Sequence, residues 1–493
     1  MPVDQWKTDR HSTEQVTRRC VLRGAALGIA ALASGAEPIF GKPPSPKPPN
    51  IVFIMADDLG YADVGCYGRP DLRTPNIDNL AAKGVRFLQA YANSAVCSAT
   101  RTALITGRYQ DRLSIGLDEP LAGRDAGLPP DVPTLPSLLR RAGYSTTLVG
   151  KWHLGLLPKY GPLKSGYEHF YGIRQGAADY YTHSNDLWDD DVRVNQVGYL
   201  TGLLGSHAVN VVNGSARSGR PFLLSLHFTA PHWPWEVPGD DSESKRLAGH
   251  SLMDFDGGSQ KTYELMIEDL DRQVGRVVDA IDANGIAENT IIIFTSDNGG
   301  ERFADTWPFT GRKTELLEGG LRIPAILSWP ARIPQGRTTN QVGISMDWLP
   351  TLLAAAGVNP DPAFPPDGTD LLPVLATNAA PIERRLFWRY KANAQRAVRD
   401  GDYKFLKILD NTFLFNVVED PMERANLKER HKDIYERLQA EWFAWNATML
   451  PEIDESYWDN FTGAQLADHI GTAKASGKAD NPTPQTSPSA NPR

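Results

Sequence analysis

Asn50-Ile51-Val52-Phe53-Ile54-Met55-Ala56-Asp57-Asp58-Leu59-Gly60 runs apolar for six residues and then stops on two carboxylates. A run that short, apolar throughout and closed by Asp and Gly reads as a strand buried on both faces. Runs of the same kind recur at 146–149, 221–228, 290–295 and 323–329. Helical patterns fall between them, at 134–142 and 262–284. In the second, Met266, Leu270, Val274, Val277 and Ile281 keep three- and four-residue spacing before Gly285. Strands alternating with helices predict an α/β domain on a large mixed, mostly parallel sheet flanked by helices. From Arg385 the pattern changes to runs at 386–390, 395–398, 403–408 and 412–415 separated by Asn, Asp and Gly. These predict a smaller C-terminal antiparallel sheet, with a helix over 428–445 packed on it.

The chain has 493 residues, 41% hydrophobic and 22% charged, and a formal net charge of -8 with no basic stripe, which argues against a nucleic-acid partner. Near the start, Thr17-Arg18-Arg19-Cys20-Val21-Leu22-Arg23 precedes an apolar run over 24–33 and then Ser34-Gly35-Ala36. That order is the layout of a twin-arginine export peptide, and the run is shorter than the roughly 20 residues a membrane span needs. The expected organisation is a twin-arginine signal peptide over 1–36, a Pro-rich linker over 37–49 and the large α/β domain over 50–384. A C-terminal α+β subdomain over 385–470 and a disordered tail over 471–493 follow. Export through the twin-arginine machinery leaves the mature chain periplasmic or secreted, with Cys66 and Cys97 as its cysteines. Two cysteines make no disulfide framework.

In open α/β sheets ligands bind beyond the carboxyl ends of the strands. Four strand ends here carry polar residues: Asp57-Asp58, Lys151 with His153, His232, and Asp297-Asn298. Taken singly, Asp-Asp-Leu-Gly reads as a cap and Ser-Asp-Asn-Gly as a turn. Their coincidence at strand ends favours a metal site, and Asp and Asn oxygens suit calcium or magnesium rather than zinc or copper. A further run, Cys97-Ser98-Ala99-Thr100-Arg101, continues to Thr106-Gly107-Arg108. On a helix, Cys97 and Arg101 share a face, and Cys97 lies at the positive end.

This set resembles the sulfatases of the alkaline phosphatase superfamily. Cys-Ser-Ala-Thr-Arg is similar to their Cys-x-Pro/Ala-x-Arg signature, Gly150-Lys151-Trp152-His153-Leu154-Gly155 to the second signature, and 50–60 and Ser296-Asp297-Asn298-Gly299-Gly300 to the metal motifs. Matches extend through Ala230-Pro231-His232-Trp233-Pro234, Lys313 and Glu318-Gly319-Gly320-Leu321-Arg322 to Leu414-Phe415-Asn416 and Glu419-Asp420-Pro421.

The resemblance implies that Cys97 is oxidised to formylglycine, whose hydrated aldehyde is the nucleophile. It implies that Asp57, Asp58, Asp297 and Asn298 bind a divalent cation, usually calcium with magnesium the alternative, and that position 97 is a further ligand. Arg101, Lys151, His153, His232 and Lys313 complete the sulfate site, with His232 the acid, assisted by Lys313, and His153 the base. Ala99, where many members carry proline, points to a radical-type maturase as a partner. Pairing Cys97 with Cys66 would occupy the catalytic position. Gly166-Tyr167-Glu168-His169-Phe170-Tyr171-Gly172 and Ala178-Asp179-Tyr180-Tyr181-Thr182-His183 resemble the arylsulfatase B and N-acetylgalactosamine sulfatase branch, which points to a sulfated glycan or aryl sulfate. The competing readings are a phosphonate or phosphate monoester hydrolase on the same scaffold, and a non-catalytic sulfated-glycan binding protein if Cys97 stays a thiol.

Overall fold

Asn50–Ala56 (β1) lies in the middle of a ten-stranded sheet. The computed structural model describes residues 47–120, 124–250, 257–377 and 379–454. The expected signal peptide, linker residues 37–46, the end of the C-terminal subdomain beyond 454 and the tail all lie outside the described residues.

The strands are β1, β2 (Val85–Phe87), β3 (Ala90–Tyr91), β4 (Ser145–Gly150), β5 (His169–Ile173), β6 (Leu187–Asp189), β7 (Val192–Arg193) and β8 (Phe222–His227). They continue as β9 (Thr290–Ser296), β10 (Ala325–Ser328), β11 (Arg337–Thr339), β12 (Gly343–Ile344), β13 (Arg385–Tyr390), β14 (Gln395–Asp400), β15 (Tyr403–Ile408) and β16 (Asn411–Asn416). The main sheet has the order β11-β2-β10-β9-β1-β8-β4-β5-β6-β7. Its centre, β9-β1-β8-β4-β5, is parallel, whereas β10 and β6 run antiparallel to their neighbours.

Alternation along β1 divides the core. Val52, Ile54 and Ala56 join Leu204, Ala208 and Val212 of helix Leu200–Ser218 and Met266, Leu270 and Val274 of helix Gln260–Ala283 on one face. Ile51, Phe53 and Met55 meet Leu138 and Leu139, Leu104 and Ile105, and Leu349, Leu352 and Leu353 on the other. Both faces being covered by helices explains why the parallel strands are apolar without interruption.

The four strands β13 to β16 form an antiparallel meander backed by helix Lys432–Asn446. That helix starts later than the expected 428, because Arg430 and His431 donate their backbone N–H groups to Leu427 in a turn first. Leu438 and Trp442 bury against Trp388, Leu406 and Leu414, and the same cluster takes in Ala99 and Ala103 from helix Cys97–Thr106. Among the described residues no helix is long and apolar enough to cross a membrane.

Candidate active site

The register of the central strands sets the site. Ala56 pairs with Ser296, Met55 with His227, and Gly150 with His227, so β9, β1, β8 and β4 end at one height. Past that line the chain continues by mutual support. Asp297 N–H donates to Ala56 O (3.2 Å), Lys151 N–H to His227 O (2.8 Å), and Asp57 N–H to Ala230 O (3.1 Å). Gly150 makes this approach possible: at φ 116° a Cβ there would sit 1.8 Å from His227 O. Asp58 and His153 also turn left-handed, at φ 63° and 55°, which swings their side chains back over the strand ends.

Each of three carboxylates carries its own cation. Lys151 Nζ donates to Asp57 Oδ2 (2.5 Å), Lys313 Nζ to Asp58 Oδ2 (2.7 Å), and Arg101 Nε and Nη2 to Asp297 Oδ2 (3.1 and 2.8 Å). Asp57, Asp58, Asp297, Lys151, Arg101 and Lys313 are all buried. Burial opposes charge on the two lysines, but Asp57 beside Lys151 and Asp58 beside Lys313 hold their ammonium groups above the ordinary lysine value. Burial likewise works against ionisation of Asp58, yet Lys313 and then His232 keep its carboxyl below the usual range.

Cys97 opens the buried helix Cys97–Thr106, and its Sγ lies 3.4 Å from Asp57 Oδ1. It is not bonded to Cys66; both are free thiols. Burial and the neighbouring Asp57 push the Cys97 thiol well above its ordinary value, so as a thiol it is no nucleophile at neutral pH.

The donor set fits a divalent cation. One ligand atom from each of Asp57, Asp58, Cys97 and Asp297 lies within 4.8 Å of the others. Asn298 Nδ2 donates to Asp58 Oδ1 (2.7 Å), leaving its buried Oδ1 without a hydrogen-bond partner, as a ligating amide oxygen requires.

The histidines stand on either side. His232 Nδ1 lies 2.7 Å from Trp233 O, which makes Nδ1 the protonated nitrogen, and Nε2 is 3.5 Å from Asp58 Oδ2. Burial and then Lys313 hold its imidazole well below the ordinary histidine value. His153 Nε2 lies 2.6 Å from Glu119 Oε1, and burial lowers its pKa against the pull of Glu119. The fold thus gathers every residue singled out from the sequence.

It also adds residues with no recognisable signal. Glu119 reaches the site from a loop, and Glu301 lies 3.6 Å from Lys313, its carboxyl pushed well above the ordinary range by burial despite Lys313. His227 ends β8 behind Arg101, and burial and that guanidinium bring it down to about 3.

Lys313 is mounted from the C-terminal subdomain, by β14 and the loop that follows β16. Leu316 N–H donates to Gln395 Oε1 (2.8 Å), Gln395 Nε2 to Thr314 O (2.9 Å), Thr310 Oγ1 to Met422 O (2.8 Å) and Glu318 N–H to Glu423 Oε2 (2.6 Å). Below this loop Lys404 Nζ is held between Glu318 Oε1 (3.0 Å) and Glu423 Oε1 (2.9 Å).

The sulfatase family model matches residues 49–358, most of the chain. The chain belongs to the sulfatase family. A second family model, N-sulphoglucosamine sulphohydrolase, C-terminal, matches residues 311–446, the stretch that carries Lys313 and the second sheet. This sulfatase is 33% identical over 410 residues to N-acetylgalactosamine-6-sulfatase of Rattus norvegicus, covering 77% of this chain and 73% of the relative. It is 34% identical over 392 residues to arylsulfatase A of Homo sapiens, covering 73% and 74% of the two chains. Among solved structures, Ps i-CgsB in complex with k-i-k-neocarrahexaose superposes with a TM-score of 0.74 at 30% identity, over 86% of this chain and 96% of that one. Phosphonate monoester hydrolase of Agrobacterium radiobacter shares the fold, with a TM-score of 0.57 at 20% identity over 82% and 96% of the chains. The protein is a sulfuric ester hydrolase.

Proposed function

We propose that this sulfatase removes sulfate from sulfated carbohydrates, using formylglycine made from Cys97 and a calcium ion held by Asp57, Asp58, Asp297, Asn298 and position 97. The observation that carries the reading is the placement of Cys97, buried at a helix N-terminus, 3.4 Å from Asp57 and inside the carboxylate cluster. When present, the aldehyde hydrate supplies a hydroxyl nucleophile, and the cation acidifies it and polarises a sulfate oxygen.

The chain's own residues do the rest. Three carboxylates and three buried cations cancel, so the divalent ion leaves the site positive toward a sulfate ester. Arg101, braced on Asp297 and on Lys151 O (3.3 Å), holds position 97 in line. Lys151 and Lys313 bind sulfate oxygens. His232, with Nδ1 fixed by Trp233 O, presents Nε2 to the leaving oxygen; it acts as acid once the anionic substrate draws a proton there, with Lys313 beside the same Asp58 oxygen. His153 serves as base for the hydroxyl at position 97.

The carbohydrate assignment is supported by the names of relatives, N-acetylgalactosamine-6-sulfatase and a structure holding k-i-k-neocarrahexaose. Residues 17–36 support export through the twin-arginine route after maturation by a radical-type enzyme. Mass spectrometry of the Cys97 peptide from native-host protein is expected to find an aldehyde, and N-terminal sequencing of exported protein a start near residue 37. Rates on sulfated sugars, 4-nitrophenyl sulfate and the matching phosphate and phosphonate separate the activities. An unmodified thiol in active enzyme, or faster phosphorus chemistry, overturns the proposal.

A further inference from the structure

We infer that Glu119 is a positioning residue for His153, at the middle of a buried chain that runs from Ser98, the neighbour of Cys97, through the Glu119 carboxylate to the His153 imidazole. The inference rests on the role given to His153 above and concerns what holds that ring.

The geometry is direct. Glu119 Oε1 lies 2.6 Å from His153 Nε2, and Oε2 accepts a 2.8 Å hydrogen bond from Ser98 Oγ. All three residues are buried. Ser98 is fixed in turn by its helix, where Thr102 Oγ1 donates to Ser98 O (2.8 Å). The carboxylate is therefore tied to the element that carries position 97, and the distance between base and nucleophile is set by one short linkage rather than by a loop.

A second feature shows that the ring is placed against resistance. His153 sits at φ 55°, a left-handed conformation that a residue with a Cβ enters only where its surroundings impose it. Its backbone N–H donates to Arg174 O (3.1 Å), and the ring lies over Gly176, where a Cβ would fall 2.6 Å from Nε2 and Cε1. Gly176 thus leaves room for the ring beside the same nitrogen that Glu119 faces.

The chemistry gives the arrangement a purpose. A carboxylate 2.6 Å from Nε2 favours the tautomer with the proton on that nitrogen. Both ring nitrogens are buried without a partner of hydrogen-bond geometry, so what distinguishes them is the 2.6 Å approach of Glu119 Oε1 to Nε2, which leaves Nδ1 the nitrogen free of a carboxylate. A bare, desolvated ring nitrogen of fixed orientation is what a base requires. An ion pair serving stability alone needs neither a free second nitrogen nor a link to the helix that bears Cys97.

The test uses matured, metal-loaded enzyme and 4-nitrophenyl sulfate. Glu119→Gln, which keeps the side chain's size, is expected to lower kcat by about 10- to 100-fold, with KM within about threefold and the melting temperature unchanged. Glu119→Ala added to His153→Ala is expected to leave the rate of His153→Ala unchanged, since nothing remains to be positioned. Ser98→Ala is expected to give a smaller loss in kcat of the same kind. If Glu119→Gln keeps the parent kcat while His153→Ala is inactive, the inference fails and the reading of His153 stands. A full multiplicative loss in the double variant also overturns it, because Glu119 then acts without His153. An active His153→Ala overturns both. Should Glu119→Ala fail to fold, Glu119→Gln in the His153→Ala background completes the cycle with the same expected and opposing outcomes.

Discussion

Replacing Lys404 with methionine removes the ammonium that Glu318 and Glu423 share beneath the Lys313 loop. Lys404 is fully buried, with its Nζ 3.0 Å from one carboxylate and 2.9 Å from the other. Each contact carries about 5 kcal/mol of gross attraction at an effective dielectric near 20. Much of that offsets desolvation, so breaking a buried group of this kind costs about 3–5 kcal/mol. The two carboxylates respond differently. Lys404, then Arg322 and Arg399, hold Glu318 at about 2 despite burial, and in the variant it keeps Arg322 Nη2 (2.8 Å) and the Tyr91 hydroxyl (2.7 Å). Burial pushes Glu423 up to about 7 even against Lys404, and without the ammonium it climbs further.

The sign follows from that direction. A carboxyl whose folded pKa lies above its unfolded value stabilises the fold below the unfolded pKa, and that contribution is lost as pH rises to the folded value. In the parent, Glu423's loss ends near 7; in the variant it continues above 7. The deficit of Lys404→Met is therefore expected to be larger at pH 8 than at pH 6, and Lys404→Met with Glu423→Gln recovers much of it. Urea unfolding followed through Trp388 and Trp442, both buried in this module, measures the difference. Equal deficits at the two pH values, or a double variant no better than the single, would refute the reasoning.

Other expectations concern the site directly. His232→Ala should lower kcat by about 10²–10⁴-fold on alkyl or sugar sulfates, whose alkoxides need a proton, and far less on 4-nitrophenyl sulfate; equal losses on both count against His232 as acid. EDTA should abolish activity and lower the melting temperature, with calcium restoring both, since Asp57, Asp58 and Asp297 converge within ligand distance; a chelated enzyme of full activity rules out the cation. Glu236, pushed up to about 9 by burial and then Asp179, destabilises the fold progressively as pH rises from the ordinary glutamate range toward 9. Glu236→Gln should therefore melt higher than the parent at pH 8 and show a flatter pH dependence; a lower melting temperature there contradicts this.

The central strands were readable because both of their faces are buried, which leaves an unbroken apolar run ending where the sheet ends. Helix Leu200–Ser218 was not, since Gly202, Gly205 and Gly214 read as breakers while its buried stripe of Leu200, Leu204, Ala208 and Val212 is sparse. β6 and β7 are short strands at one margin of the sheet, with exposed residues, and carry no periodic signal. The antiparallel entry of β10 is a matter of connection, which local sequence does not encode. In the site, residues that follow strand ends or head a helix could be found from position alone. Glu119 could not, because its loop has neither periodicity nor cap, and only the fold brings it to His153.

Lys313 belongs to the chemistry of one sheet but hangs from the frame of the other, through Gln395, Met422 and Glu423. The two sheets are therefore a poor place to cut when recombining relatives. A chimaera joined near residue 384 would inherit a Lys313 held by a foreign scaffold, so that a change at the carboxylate cluster would map to a distant junction. Grafts that move 310–446 as one piece keep Lys313 with these contacts to Gln395, Met422 and Glu423.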